Sequence, residues 1–132
     1  MGTRILVVDD EPFILRSLTF VLRKEGFEVL EASDGEQALS TIRSERPTLV
    51  FLDVMMPKKN GYEVCSEVKQ DPDLSSTHII MLTAKGQESD RDKGLALGAD
   101  EYMTKPFSPL RILERVRELT ASVNEGEESK RI

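Results

Sequence analysis

Residues 5–12 read Ile5-Leu6-Val7-Val8-Asp9-Asp10-Glu11-Pro12. Four consecutive apolar residues suit a strand buried on both faces, which is the pattern of a parallel sheet covered on both sides. The acids end the run. Pro12 then suits the first turn of a helix, where its missing N–H costs nothing and its φ is already helical. Ile14, Leu18, Val21 and Leu22 follow at helical spacing, and Gly26 offers a stop. Strand, acidic turn and helix together make one βα unit.

The unit recurs along the chain. Phe27–Glu31 reads as a second strand, and Asp34, with Gln37 three residues on, caps a second helix as in a capping box; Ala38, Leu39 and Ile42 give it an apolar side. Leu49–Leu52 is a third buried strand ending in Asp53. Pro57 and Gly61 bracket the loop before a helix over Tyr62–Lys69. His78–Leu82 is a fourth strand ending in Thr83, and a helix over Gln87–Leu97 closes at Gly98. Ala99–Met103 reads as a fifth strand, followed by Lys105-Pro106. Ser108 caps and Pro109 opens a last helix through Ser122. Residues 124–132 are polar and Glu-rich and are expected to fray. Five βα repeats imply a parallel sheet with helices on both faces and right-handed crossovers. Ligands in such sheets bind at the carboxyl ends of the strands. No sequence repeat marks a solenoid.

A chain of 132 residues suits one domain with a real core. Residues 1–122 are taken as that domain, and 123–132 as a tail or truncated linker. The 18 basic against 24 acidic residues leave a net charge of −6. That balance argues against nucleic acid or an anionic membrane as partner of this domain. Cys65 is the sole cysteine, so no internal disulfide forms and a reduced, cytoplasmic setting is expected. No apolar run approaches the roughly 18 residues of a membrane span. The chain starts directly into a strand, without the pattern of a signal peptide.

The strand ends carry the chemistry. Asp9 and Asp10, Asp53, Thr83 and Lys105 all emerge at one edge of the expected sheet. Two carboxylates about 5 Å apart repel by about 3 kcal/mol at an effective dielectric of about 20. Lys105 alone cannot offset three of them, whereas a divalent cation can. Oxygen ligands without His or Cys favour Mg²⁺ or Mn²⁺ over zinc. A lysine and a threonine hydroxyl beside such an ion make a phosphoryl site, with one carboxylate free to act as nucleophile. Singly, Asp10, Asp53 and Thr83 would be helix caps and Lys105 a surface lysine; their convergence sets that reading aside.

Val7-Val8-Asp9-Asp10-Glu11-Pro12, Leu52-Asp53-Val54-Met55-Met56-Pro57 with Gly61, Leu82-Thr83-Ala84, and Gly98-Ala99-Asp100-Glu101-Tyr102-Met103-Thr104-Lys105-Pro106-Phe107 resemble the motifs of response-regulator receiver domains of two-component signalling, in family order over residues 4–122. The resemblance implies a flavodoxin-like (βα)5 three-layer sandwich with strand order 2-1-3-4-5. It implies that Asp53 is the phosphoacceptor. Asp10 would hold Mg²⁺ directly, Asp9 largely through water, and the Met55 carbonyl would add a ligand beside Asp53 itself. Thr83, Ala84 and Lys105 would contact the phosphoryl group, and Tyr102 would swing inward as Thr83 is drawn to it. A cis bond is expected before Pro106. Met55 and Lys85 would tune the lifetime of the acyl phosphate. The implied donor is a phosphohistidine on a sensor histidine kinase or phosphotransfer protein. The implied output is a shift of the fourth helix, fifth strand and fifth helix. Such a protein catalyses only its own phosphotransfer and dephosphorylation.

Two surfaces follow. Arg111 and Arg115 on the last helix, with Asp100, Glu101 and Arg91 near them, resemble the face through which receivers of the winged-helix transcription-factor subfamily dimerise on phosphorylation; the plainer reading is a solvated mixed-charge face. Phe13 and Leu15, read as lying off the apolar stripe of the first helix, are candidates for kinase docking. Cys65 reads as a passive helix residue and His78 as structural or solvated, at the opposite edge from the acids. An aspartate-nucleophile phosphatase is disfavoured because Met55 stands where its second acid would be. A dinucleotide module is disfavoured because the turn at residues 9–12 lacks glycines. The chain reads either as a free-standing receiver or as the receiver piece of a longer transcription factor or kinase.

Overall fold

Ile5, Leu6, Val7 and Val8 expose no surface, and alternate members of this run enter different cores. In the computed structural model, which describes residues 3–56, 58–84, 88–105 and 108–131 (with side chains at 84, 88–91 and 121–131 left outside the description), they form β1 (Arg4–Val8). Ile5 and Val7 pack on one side with Leu18 and Leu22 of α1 (Pro12–Lys24) and Ile112, Leu113 and Val116 of α5 (Pro109–Arg131). Leu6 and Val8 pack on the other with Ala38, Leu39 and Ile42 of α2 (Gly35–Glu45) and Val64, Cys65 and Val68 of α3 (Gly61–Gln70). Each fully buried Leu or Ile contributes about 1.5–3 kcal/mol, so these two layers dominate stability.

The remaining strands are β2 (Glu28–Ala32), β3 (Leu49–Asp53), β4 (His78–Ala84) and β5 (Glu101–Lys105), and α4 (Glu88–Ala96) lies between the last two. All pairings are parallel, in the order β2-β1-β3-β4-β5. The chain passes from β1 to one side for β2 and returns to the other side for β3. This reversal leaves a crevice at the carboxyl ends of β1 and β3, where Asp9, Asp10 and Asp53 emerge.

Three elements depart from the sequence reading. β5 starts at Glu101 instead of Ala99. Gly98, at φ +102°, closes α4, the Ala99 N–H donates to the Gly94 carbonyl 3.1 Å away, and the strand begins only after the Asp100 N–H bonds the Ile79 carbonyl at 3.0 Å. This places Tyr102 opposite Met81, and Lys105 opposite Ala84, within the strand. α5 runs to Arg131 rather than ending near Ser122. Residues 110–131 contain no proline, and the single Gly126 costs a helix only about 1 kcal/mol. At α2, Asp34 caps the Gln37 N–H at 2.8 Å, but Gln37 Oε1 reaches back to the Ser33 N–H, one residue before the cap. The complete capping box lies at α3, between Asn60 and Glu63. Among the described residues no helix is long and apolar enough to cross a membrane.

Candidate functional site

β1 ends one residue before Asp9, whose N–H donates to the Ala32 carbonyl at 3.1 Å and whose Oδ1 accepts the Glu11 N–H at 2.9 Å. Asp9 is fully buried, Asp10 exposed, and Asp53, the last residue of β3, is 5% exposed. A carboxylate oxygen from each lies within 4.8 Å of the others. Lys105 Nζ, from the end of β5, stands 2.9 Å from Asp9 Oδ2, 3.4 Å from Asp53 Oδ1 and 3.7 Å from Glu11 Oε1. Four of the five side chains expected at this edge, Asp9, Asp10, Asp53 and Lys105, therefore meet, and Glu11 joins them, while the fifth, Thr83, contacts Tyr102.

Among the described residues the pocket carries more negative than positive charge. Burial pushes the Asp53 carboxyl up from 3.8 to about 7, with the negative charge of Asp9 and, less, Asp10 adding to it; Lys105 and the Met55 N–H, 3.4 Å from Oδ1, oppose the rise. Burial would lower the Lys105 pKa, but its contact with Asp9 and the charges of Asp53 and Glu11 outweigh this and hold it above the ordinary lysine value. Asp9 Oδ2 is buried without a well-directed hydrogen bond, so its contact with Lys105 is an ion pair of imperfect alignment. Among the described residues the carboxylates of Asp9, Asp10 and Asp53, with Glu11 beside them, face the single ammonium of Lys105, and such an all-oxygen acidic set fits a hard divalent cation.

Thr83 is buried near the end of β4, and its hydroxyl lies 3.0 Å from the Tyr102 hydroxyl. The tyrosine is thus already turned in toward the threonine, held by the β4–β5 register. Ala84 ends β4, with its side chain outside the described residues; Lys85 and Pro106, and so the expected cis bond, lie outside them altogether. Met55 is 66% exposed at the mouth of the pocket. Cys65 is buried and its thiol is pushed up to about 11, chiefly by burial, in keeping with a passive role.

The face expected to mediate dimerisation is engaged within the chain. Glu101 accepts from Arg115 and meets His78 Nε2 at 2.6 Å, and Arg115 also pairs with Glu118 at 2.8 Å. Burial opposes ionisation of Glu101, but these two partners hold its carboxyl below the usual range. Asp100 Oδ2 accepts the Ile79 N–H and Lys69 Nζ, each at 2.8 Å. Arg111 is exposed on α5, and the Arg91 side chain lies outside the described residues. His78, expected to be structural or solvated, is partly buried and held by Glu101. On α1, Phe13 is 82% exposed, but Leu15 is half-buried and packs on the core with Leu18 and Leu22. The reading of Leu15 as lying off the apolar stripe is therefore corrected: steps of three and seven residues put it on the same helix face as the two leucines.

Residues 5–117 match the family described as the response regulator receiver domain. The chain is 50% identical over 117 residues to the alkaline phosphatase synthesis transcriptional regulatory protein PhoP of Bacillus subtilis (strain 168), a match covering 89% of this chain and 48% of that protein. It is 49% identical to the DNA-binding response regulator MtrA of Mycolicibacterium smegmatis over 89% of this chain and 50% of that one. The chain spans about half the length of these relatives. Among solved structures, the CheY-like response regulator receiver domain protein of Methanospirillum hungatei JF-1 superposes with a TM-score of 0.84 at 30% identity, covering 98% of this chain and 99% of that one. The BeF3-activated DrrB receiver domain does so with a TM-score of 0.81 at 36% identity, covering 92% of this chain and 99% of its own.

Proposed function

The chain belongs to the response regulator receiver family and is a phosphorylation-dependent signalling switch, and from that premise we propose that Asp53 is the residue that takes the phosphoryl group. The observation that carries this is the convergence of Asp9, Asp10, Asp53 and Lys105 on one pocket at the sheet's switch point. Asp53 suits the nucleophile best. Asp9 is fully buried and tied to the Glu11 N–H, and Asp10 stands exposed at the rim.

In this reading a carboxylate oxygen of Asp53 forms a bond to phosphorus as the phosphorus–nitrogen bond of a donor phosphohistidine breaks. The electron pair returns to the imidazole, which takes up a proton. Asp10, Asp9 through water, Asp53 and the Met55 carbonyl would hold Mg²⁺ or Mn²⁺. When bound, the ion supplies positive charge at the oxygens of the transferring group. Lys105 adds a second positive charge from the β5 side. The Thr83 hydroxyl then turns from Tyr102 to a phosphoryl oxygen, and Tyr102 follows it. Hydrolysis of the acyl phosphate resets the switch, with exposed Met55 beside the path of water.

Incubation with acetyl phosphate and Mg²⁺ is expected to add one phosphoryl group, read by intact mass, and excess EDTA to prevent it. A chain that gains no mass, or gains as much in EDTA, overturns the reading. With a phosphorylated sensor histidine kinase as donor, Phe13→Asp is expected to slow transfer about tenfold or more while leaving uptake from acetyl phosphate unchanged. Equal rates from the kinase remove Phe13 from the docking surface.

The relatives' names describe transcriptional regulators, and this chain corresponds to their receiver half. We therefore read residues 1–122 as the switch and the continuation of α5 as the lead toward an output unit. The phosphorylated chain would pair with a second copy through α4, β5 and α5. There Leu95 is 41% exposed, and the Glu101–Arg115 pair could be shared across a two-fold axis. Light scattering is expected to show a dimer for the phosphorylated parent chain and a monomer for phosphorylated Arg115→Glu. A variant that dimerises like the parent rejects this interface.

A further inference from the structure

α2 starts at Gly35, remote in sequence from every acidic residue of the pocket. A Cβ built on Gly35 would lie 1.8 Å from the carbonyl oxygen of Lys59, 2.5 Å from its carbonyl carbon and 2.7 Å from its Cβ. Gly35 has no unusual φ, so what excludes a side chain there is space alone. Lys59 belongs to the loop between β3 and α3. That loop leaves the sheet at Asp53, carries the Met55 carbonyl and returns through Lys58–Asn60 to α3.

The return limb is held at several points. Lys58 takes a left-handed conformation, φ +68°, with Nζ 3.7 Å from Asp34 Oδ2 beside the start of α2. Lys59 Nζ pairs with Glu67 Oε2 of α3 at 2.6 Å. The loop is closed by a hydrogen bond from the Gly61 N–H to the Val54 carbonyl at 2.9 Å. A Cβ on Gly61 would fall 2.4 Å from the Asp53 carbonyl oxygen. The loop is thus seated between two backbone surfaces that admit only hydrogen, one at the end of β3 and one at the start of α2.

We propose that Gly35 is a positioning residue for the cation site. By admitting the Lys59 carbonyl against α2, it fixes the loop and so the Met55 carbonyl relative to Asp9, Asp10 and Asp53. The proposal rests on the reading of that pocket as a Mg²⁺ site. A methyl group at residue 35 would start 1.8 Å from the Lys59 oxygen, so relief to 3.0 Å must push the limb away by more than about 1 Å, a displacement on which preorganised sites lose function.

The test is calorimetric titration of the unphosphorylated full chain with MgCl₂, alongside urea unfolding in EDTA. Gly35→Ala is expected to raise the Mg²⁺ concentration for half-saturation about tenfold. A second variant, Lys58→Gly with Lys59→Gly, loosens the limb without a collision, since glycine accepts the φ at residue 58. It is expected to weaken Mg²⁺ binding about threefold or more, although the loss of two positive charges near an acidic pocket would by itself strengthen it. The second variant decides the matter if Gly35→Ala does not fold. Variants that bind Mg²⁺ like the parent, whatever their stability, overturn the brace and leave the metal site standing. A parent chain that binds no Mg²⁺ overturns both.

Discussion

Asp53→Asn is expected to take up no phosphoryl group from acetyl phosphate and, in EDTA at pH 8, to be more stable than the parent chain by about 1–3 kcal/mol. The loss of uptake follows from removing the proposed nucleophile. The gain in stability follows from the raised pKa. Well below pH 3.8 Asp53 is protonated in both folded and unfolded chains, and the variant and parent differ little. As pH rises from the ordinary 3.8 toward about 7, the unfolded chain ionises at this residue while the folded chain still holds the proton. Stability contributed by this group is therefore lost across that window, and above it the folded parent carries a buried carboxylate beside Asp9. Asparagine never ionises and escapes the loss. Saturating Mg²⁺ should erase or reverse the difference, since binding stabilises the parent and the variant lacks one anionic ligand. Urea midpoints at pH 4, 6 and 8, with EDTA and with Mg²⁺, read all of this. A parent more stable than Asp53→Asn in EDTA at pH 8 would refute it.

Lys105→Met should have the opposite sign. It removes the ammonium 2.9 Å from Asp9 and 3.4 Å from Asp53, leaving two buried carboxylates without a cation. Breaking a buried pair from one side costs about 3–5 kcal/mol; access of water to Asp10 and Glu11 brings the expected loss in EDTA at pH 8 to about 2–4 kcal/mol. Lys105 has a raised pKa, so its contribution is fully present at pH 8 and is lost only in strong alkali, as pH passes its folded value. The deficit of the variant should shrink toward pH 5, where Asp53 takes up a proton, and on adding Mg²⁺. Uptake from acetyl phosphate should slow about 100-fold, the scale of losing one preorganised charge. Combining Lys105→Met with Asp53→Asn should recover more than 0.5 kcal/mol over additivity, because each removes part of the other's penalty. Unchanged stability of Lys105→Met in EDTA would dismiss Lys105 as the counter-charge.

The local signals along the chain were legible because they act between near neighbours. The run Ile5–Val8 and its repeats read as strands through apolar continuity, and Pro12, Asp34 and Gly98 marked helix ends through their own backbone chemistry. The wrong bounds lay where two local signals competed. Ala99 and Asp100 look like strand but are used in leaving α4, and residues 123–131 look like a polar tail but retain helical propensity. The spacing of Leu15 from Leu18 and Leu22 places it on the apolar face, against its reading as a residue off that stripe.

Local residue patterns are enough to establish a set of βα units whose strand ends deliver Asp9, Asp10, Asp53, Thr83 and Lys105 to one edge. That follows from the strict geometry of parallel strands, which all point their carboxyl ends the same way. The contacts made across elements depend instead on the folded chain as a whole. These are the 2.9 Å approach of Lys105 to Asp9, the bond between Thr83 and Tyr102, the engagement of Glu101 by His78 and Arg115, and the space for hydrogen alone between Gly35 and Lys59. Such contacts depend on strand register and on how helices seat on the sheet, which the packing of the whole core settles and no stretch of neighbouring residues encodes.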